Sequence, residues 1–366
     1  MSIVFKKRKL DDTPYEACAV FDVNNDGIPD IVSGAYWYEG PDYVKRHKIC
    51  DVAGVEAGKV GYYHDDFSDY PLDVDGDGYM DIITGSYFAD TLRWRRNPGP
   101  AGGEWATLDI EASANIETIR YFDIDGCGTP EIFPNTPGGP QVFYKLICDQ
   151  HGKGTGKFQK VVIHEEKSGH GLGFADINGD GRTDIVLTGG WLEQPEDPMK
   201  GPWTFHPEFS LGSASIPILG YDVNEDGLCD LIVGQAHDYG LHWYEQAIAQ
   251  DGTRSWIKHD IDLTVSQYHD LQLVDLDNDG ELELVAGKRY RAHNTDPGTE
   301  DPVGIYYFKI KNGTFEKYTI DYGAAGEASG NGIYMWIEDL TGNGYLDIVA
   351  PGKEGLFLFE NLGKKE

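Results

Sequence analysis

The chain has 366 residues, with 30 Lys+Arg against 62 Asp+Glu and a formal charge of −32. So acidic a surface excludes nucleic acid and anionic membranes as partners, because both need clustered Lys and Arg. Hydrophobic residues at 40% supply a sizeable core. No apolar run approaches the roughly 18 residues of a spanning helix.

In chain order, the N-terminus carries the basic run Lys6-Lys7-Arg8-Lys9 without the apolar region or cleavage site of a signal peptide. It reads as cytoplasmic as written, or as secreted if a leader was removed. Ile3–Lys9 alternates as a strand. Five cysteines (Cys18, Cys50, Cys127, Cys148, Cys229) make an odd number without C-x-x-C spacing, so neither a disulfide framework nor a zinc ribbon is expected.

From residue 22 onward a nine-residue acidic segment recurs, starting at 22, 73, 123, 176, 222, 275 and 339. Repetition at near-constant spacing is the first signal to read in any chain. The copies place oxygen-bearing side chains at positions 1, 3, 5 and 9, with Cys127 the one exception, and glycine at 6. The oxygens are Asp22, Asn24, Asp26 and Asp30; Asp73, Asp75, Asp77 and Asp81; and Asp123, Asp125 and Glu131. They continue as Asp176, Asn178, Asp180 and Asp184; Asp222, Asn224, Asp226 and Asp230; Asp275, Asp277, Asp279 and Glu283; and Asp339, Asn343 and Asp347. Alternate oxygens in a tight turn suit a hard cation, with Ca²⁺ the default. An EF-hand is excluded: Ser33 stands where its position-12 glutamate belongs, and β-forming runs such as Asp30-Ile-Val-Ser follow where a helix should. Cys127 at position 5 and Thr341 at position 3 predict poor occupancy in two copies. Asp, Asn and Gly are also ordinary turn residues, but four aligned oxygens in most copies favour the cation.

Around each loop the elements keep one order. A short strand precedes it (Ala17–Phe21, Gly171–Ala175, Leu271–Val274), and an apolar strand follows. A third strand carries aromatics (Thr91–Trp94, Leu241–Tyr244, Gly304–Tyr307), and a fourth alternates (Lys45–Ile49, Trp256–Asp260, Phe315–Ile320). Four strands per 40–50 residues is the arithmetic of a propeller blade. The last copy ends after its third strand, Leu356–Glu360, and Ile3–Lys9 can supply the fourth. The expectation is an all-β fold: one seven-bladed β-propeller domain spanning 1–366, with Asp-rich calcium loops and the ring closed by the N-terminal strand. These loops resemble the FG-GAP/VCBS repeats of integrin-type propellers. That resemblance implies fold and calcium and leaves function open.

If every loop joins the inner strand to the second strand, the inner-strand starts and second-strand ends converge on the opposite face. Six residues before each loop stand Glu16, Phe67, Glu117, His170, Ile216, His269 and Ile333. Fifteen after each loop start stand Trp37, Phe88, Gly138, Trp191, His237, Tyr290 and Glu354. His64 and the run Lys288-Arg289-Tyr290-Arg291 with His293 lie nearby. His170, His237 and His269 are the candidate catalytic residues, with Tyr290 and Arg289 assisting. Three imidazoles can exchange protons near neutral pH or hold one divalent ion such as Zn²⁺ or Mn²⁺. Trp37, Phe88, Trp191, Lys288, His64, Glu16, Glu117 and His293 are the candidate substrate contacts. For Trp37 and Trp191 packing between blades competes with a substrate platform, and His47, His164, His242 and His259 read as ordinary hydrogen-bonded surface residues.

The stretches Gly169-His-Gly-Leu-Gly-Phe-Ala-Asp176, Gln235-Ala-His-Asp-Tyr239, Gln267-Tyr-His-Asp270 and Gly287-Lys-Arg-Tyr-Arg-Ala-His293 resemble the propeller of aldos-2-ulose (anhydrofructose) dehydratases. That resemblance implies β-elimination from a keto-sugar or uronic-acid substrate, with a carbohydrate or sugar acid as ligand. Cupin domains follow the propeller in those enzymes, and none is read here, so only part of the activity carries over. The alternative is a calcium-stabilised carbohydrate-binding or protein-interaction propeller. Because the funnel residues differ from repeat to repeat, one asymmetric pocket is expected, not a ring of equal sites.

Overall fold

The computed structural model describes residues 2–56, 62–89 and 91–364. Among them the only helical element is the single 3₁₀ turn Gly99–Ala101; the rest of the regular structure is strand. The first repeat shows how the local sequence builds a sheet. Ala19–Phe21 enters the Asp22 loop, Asp30–Ser33 returns antiparallel to it, Tyr36–Tyr38 follows after two residues, and Arg46–Lys48 lies outermost. The second strand is buried along its whole length here and again in Asp81–Thr84 and Asp184–Leu187. Burial on both sides accounts for the unbroken apolar run after each loop, whereas an outer strand with one wet face alternates, as Gly154–His164 does.

This four-stranded antiparallel order recurs along the chain. The inner strands Leu172–Ala175 and Ile218–Tyr221 touch as a parallel pair, joining two such units into one eight-stranded sheet. Apolar clusters fill the gaps between successive sheets. Ile83 and Leu92 pack with Ile132 and Val142, Phe133 and Phe143 with Ile185 and Leu192, and Leu231 and Val233 with Val186 and Trp191. Val20 and Ile31 pack with Val349 and Leu358, so the first sheet meets the last. Ile3–Asp11 pairs antiparallel with Gly355–Lys364, as its alternation predicts, and extends two residues beyond Lys9. That pairing covers the strand edge that would otherwise invite aggregation.

Glycine at loop position 6 is a conformational requirement. Gly27, Gly78, Gly128, Gly181, Gly227, Gly280 and Gly344 all sit between φ +85° and +93°. Position 4 is left-handed too: Asn25, Asn278 and four glycines occupy it comfortably, but so does Glu225 at φ +63°. A long side chain there is strained. Glu225→Gly is therefore expected to stabilise the protein by about 0.5–1 kcal/mol. Chemical denaturation checks this, and an unchanged midpoint would count against it.

All five cysteines are free, with Cys18 buried, and no helix among the described residues is long and apolar enough to cross a membrane.

Candidate metal centre in the axial cavity

The inner strands bring distant residues together at their starting ends. Glu117 stands just ahead of Thr118–Phe122, His170 just ahead of Leu172–Ala175, and His269 is the second residue of Tyr268–Val274. Arg120 ties these strands to one another: it donates to the carbonyls of Ile216 and Ile333 and pairs with Asp270 at 2.8 Å. In front lies a cavity of about 300 Å³. Its wall combines Tyr63, Phe67, Tyr87 and Phe88 with Glu117, His170, His237, Arg289 and His293. This is the small end of the range for ligand pockets.

Hydrogen bonding assigns the imidazole tautomers. His170 Nδ1 is 2.8 Å from the Ala214 carbonyl, which only accepts, so Nδ1 carries a proton and, in the neutral ring, Nε2 holds a lone pair. His237 Nδ1 is likewise 2.8 Å from Asp296 Oδ2. The two Nε2 atoms then face each other at 3.2 Å. Two lone pairs at that separation repel unless a proton or a cation lies between them. Glu117 Oε1 is 3.6 Å from His170 Nε2 and 3.0 Å from His269 Nε2. One donor atom from each of Glu117, His170, His237 and His269 lies within 4.8 Å of the others. The donor set is three imidazoles and a carboxylate, with two of the imidazoles anchored at the far nitrogen. It fits a borderline divalent ion such as Zn²⁺ or Mn²⁺, for which such outer hydrogen bonds orient the ligands. His269 Nε2 faces the Glu117 carboxylate, which accepts its proton in the neutral ring, and its Nδ1 is buried without a partner.

Electrostatics point the same way. Burial pushes His237 down to about 3, with the neighbouring His170 adding to the effect. Burial also lowers His269 well below its ordinary value, with Arg289 contributing. Both rings are neutral near pH 7, the state a metal ligand needs. Burial works against the charge on Glu117, but the neighbouring His170 and His269 outweigh it and hold the carboxyl well below its usual range. Arg289, 1% exposed, pairs with Glu16 at 2.8 Å and Glu117 at 3.3 Å, and Lys353 stands 3.7 Å from Glu16. With Asp296, three carboxylates face two cations, an imbalance that favours an added cation.

Two stretches, residues 73–133 and 222–286, match the FG-GAP-like repeat family. The chain carries FG-GAP-like repeats. Among solved structures it is similar to BBS1N in the crystal structure of BBS1N in complex with ARL6DN, soaked with mercury. The TM-score is 0.55 at 10% identity, covering 100% of this chain and 99% of that one. The lead-soaked crystal of the same complex gives 0.53 at 11% identity, covering 97% and 94%. At such identity the likeness is one of fold, and the fold is a β-propeller. No curated protein matches the chain.

The structure sorts the expected site residues. His170, His237, Glu117, Arg289, Phe88 and His293 line the cavity, His269 is buried against Glu117, and Glu16 holds Arg289. Trp37 and Trp191 lie outside this cavity and stack within their own sheets. Trp191 is 1% exposed and stacks on His206 at 4.1 Å, and Trp37 stacks on His47 at 4.0 Å. In these two repeats a two-residue hairpin joins the second and third strands, so the fifteenth residue already lies in the third strand. Where the connection is longer, as in 235–238, it still lies at the mouth, as His237 does. Tyr290 does not line the cavity; its ring contacts Arg291. Lys288 is buried against Ser266 on the other side of the chain from Arg289. His64 lines a neighbouring cavity with Lys353. Sequence reasoning missed Asp296 and Tyr63. Asp296 lies in the segment 289–302, part of the longest repeat spacing; Tyr63 belongs to an extra hairpin, Gly54–Glu56 with Tyr62–His64.

In the acidic loops the ninth carboxylate serves as a latch. Asp30 accepts from the amides of Val23 and Gly40, and Asp81, Asp184 and Asp230 repeat the pattern. Burial pushes Asp30 and Asp184 up to about 6 and Asp81 to about 7, against the pull of those amides.

Proposed function

We propose that the chain is a single seven-bladed propeller domain acting as a metal-dependent carbohydrate lyase, eliminating water from a keto-sugar or uronic-acid-type substrate in the axial cavity. The carrying observation is the convergence of His170 Nε2, His237 Nε2, His269 and Glu117 on one small volume. These four residues would hold a divalent ion, which when bound polarises a carbonyl and acidifies the neighbouring C–H. Calcium in the acidic loops is a structural companion to this site.

The chain's own residues supply the rest. His293 stacks on His237 at 4.4 Å, lines the cavity and is held at Nδ1 by Asp296 at 3.3 Å. Its Nε2 takes the proton from the carbon beside the carbonyl and returns it to the departing β-hydroxyl, leaving an unsaturated carbonyl product and water. Tyr63, Phe67, Tyr87 and Phe88 offer aromatic faces to sugar C–H surfaces. Arg289 is committed to Glu16 and Glu117, so it positions Glu117 and leaves the substrate to other groups.

Elemental analysis of the purified protein tests this reading, with close to one zinc or manganese per chain expected. His170→Ala and His237→Ala should each remove most of that metal and lower dehydration of a keto-sugar at least about 100-fold. Product forms with an ultraviolet-absorbing enone, so the rate is read directly. Wild-type protein without transition metal, or unaltered rates in both variants, would sink the proposal.

A second reading is a propeller that binds carbohydrate or protein without turnover; its protein-binding form has a counterpart in the solved neighbour, since BBS1N is found in complex with ARL6DN. Stoichiometric sugar binding with no product would favour it.

A further inference from the structure

The acidic loops fall into two charge classes, and the division extends to a strand the loops do not contain. Loop position 3 is Asp in three repeats (Asp75, Asp125, Asp277). In these repeats one register of the third strand carries a base: Arg96, Lys145 or Lys309, each one residue after the partner of the residue that follows the loop. In the other four, position 3 is Asn or Thr (Asn24, Asn178, Asn224, Thr341), and the same register carries glutamate: Glu39, Glu193, Glu245 or Glu360. Acid meets base and neutral meets acid in all seven.

The bases reach into their loops. Lys145 Nζ lies 2.5 Å from Asp125 and 2.8 Å from Glu131, with Cys127 Sγ at 3.0 Å. Lys309 Nζ lies 2.6 Å from Asp277 and 2.9 Å from Glu283, and Lys364 adds contacts of 2.9 and 3.0 Å to Asp277 and Asp279. Glu131 and Asp277 are fully buried. Three of the glutamates turn to the outer strand: Glu39 to His47, Glu193 to His206 and Glu245 to His259, at 2.7–2.9 Å. Among the described residues, no lysine or arginine of the third strand enters those loops.

We infer that Lys145 and Lys309 are resident counter-ions that stand in the place of calcium, so that the Asp123 and Asp275 loops take up none. This rests on the reading that the loops without such a base bind calcium. An ammonium between the third and ninth carboxylates discharges them without a metal, and a divalent ion would have to displace it against like-charge repulsion. The Asp275 loop makes the point sharpest, since its four carboxylates form a complete ligand set by sequence alone.

Calorimetric titration of the EDTA-treated full chain with calcium chloride tests the inference. Cys127→Asp completes the ligand set of the Asp123 loop, and it should leave the number of ions per chain unchanged because Lys145 still fills the loop. Cys127→Asp with Lys145→Met should gain one ion, and so should Lys309→Met with Lys364→Met. Lys145→Met alone should melt about 3 °C lower in EDTA, and Lys145→Arg should not. If a lysine-free variant fails to fold in EDTA, recovery by calcium supports the inference and failure to recover overturns it. An extra ion in Cys127→Asp alone, or no gain in either folded lysine-free double variant, overturns it. Wild-type protein that binds no calcium removes the calcium reading of the other loops, and the inference is still decided by whether the two lysine-free variants acquire their ion.

Discussion

Replacing Arg289 with methionine is expected to lower the unfolding free energy by about 3–5 kcal/mol. The guanidinium bridges Glu16 and Glu117, and all three side chains are almost wholly buried. The substitution leaves two carboxylates in an apolar setting with only Lys353 near one of them, at 3.7 Å from Glu16. Removing one member of a buried ion pair costs far more than the pair contributes, because the partner keeps its desolvation penalty. A second effect separates this network from ordinary packing. With the guanidinium gone, Glu117 retains only imidazole partners, so zinc should recover part of the lost melting temperature in Arg289→Met and shift the wild type less. Thermal melts with and without zinc measure both effects. A loss under about 1 kcal/mol would show that Arg289 does not carry this balance.

The acid response of His237 is the second large effect. Its folded-state value of about 3 lies below the usual 6.5, so between these limits the unfolded chain holds a proton that the folded chain lacks. Stability from this group is fully present above about pH 6.5 and is lost as pH falls toward 3. At 1.36 kcal/mol per unit, the cost by pH 5 is about 2 kcal/mol. Asp30, Asp81 and Asp184, pushed up by burial, act in the opposite sense and gain stability as pH falls below 6–7. The His237 part is therefore isolated as wild type minus His237→Gln, both in EDTA, by denaturant unfolding from pH 7 to 5. A difference that stays flat over that range would contradict a buried neutral imidazole.

How much of this was legible from the chain depends on what kept a constant register. The acidic loop is a rigid nine-residue turn, and the inner strand leading into it varies little. Counting back six residues from Asp123, Asp176 and Asp275 therefore reached Glu117, His170 and His269, which the structure unites. Counting forward fifteen crosses a hairpin of variable length. It reached Phe88 and His237 at the cavity but ran past it to Trp37 and Trp191. The pairing of Arg289 with Glu16, and of Arg120 with Asp270, spans 273 and 150 residues, with no local pattern to announce it. The latch role of the ninth carboxylate was hidden for another reason: an aspartate that binds amides and one that binds a cation look alike in sequence.

The pairing of Ile3–Asp11 with Gly355–Lys364 also sets an order of events during folding. Its partners are about 360 residues apart, so closing that loop from a disordered chain costs on the order of 5 kcal/mol in entropy. Most other strand pairs join neighbours in the chain and meet no such barrier. The intermediate sheets can therefore assemble progressively during synthesis, while Ile3–Asp11 waits for Gly355–Lys364 before it finds its partner. During that interval the basic strand Lys6–Lys9 stays in solution, where its charge discourages pairing with another nascent copy.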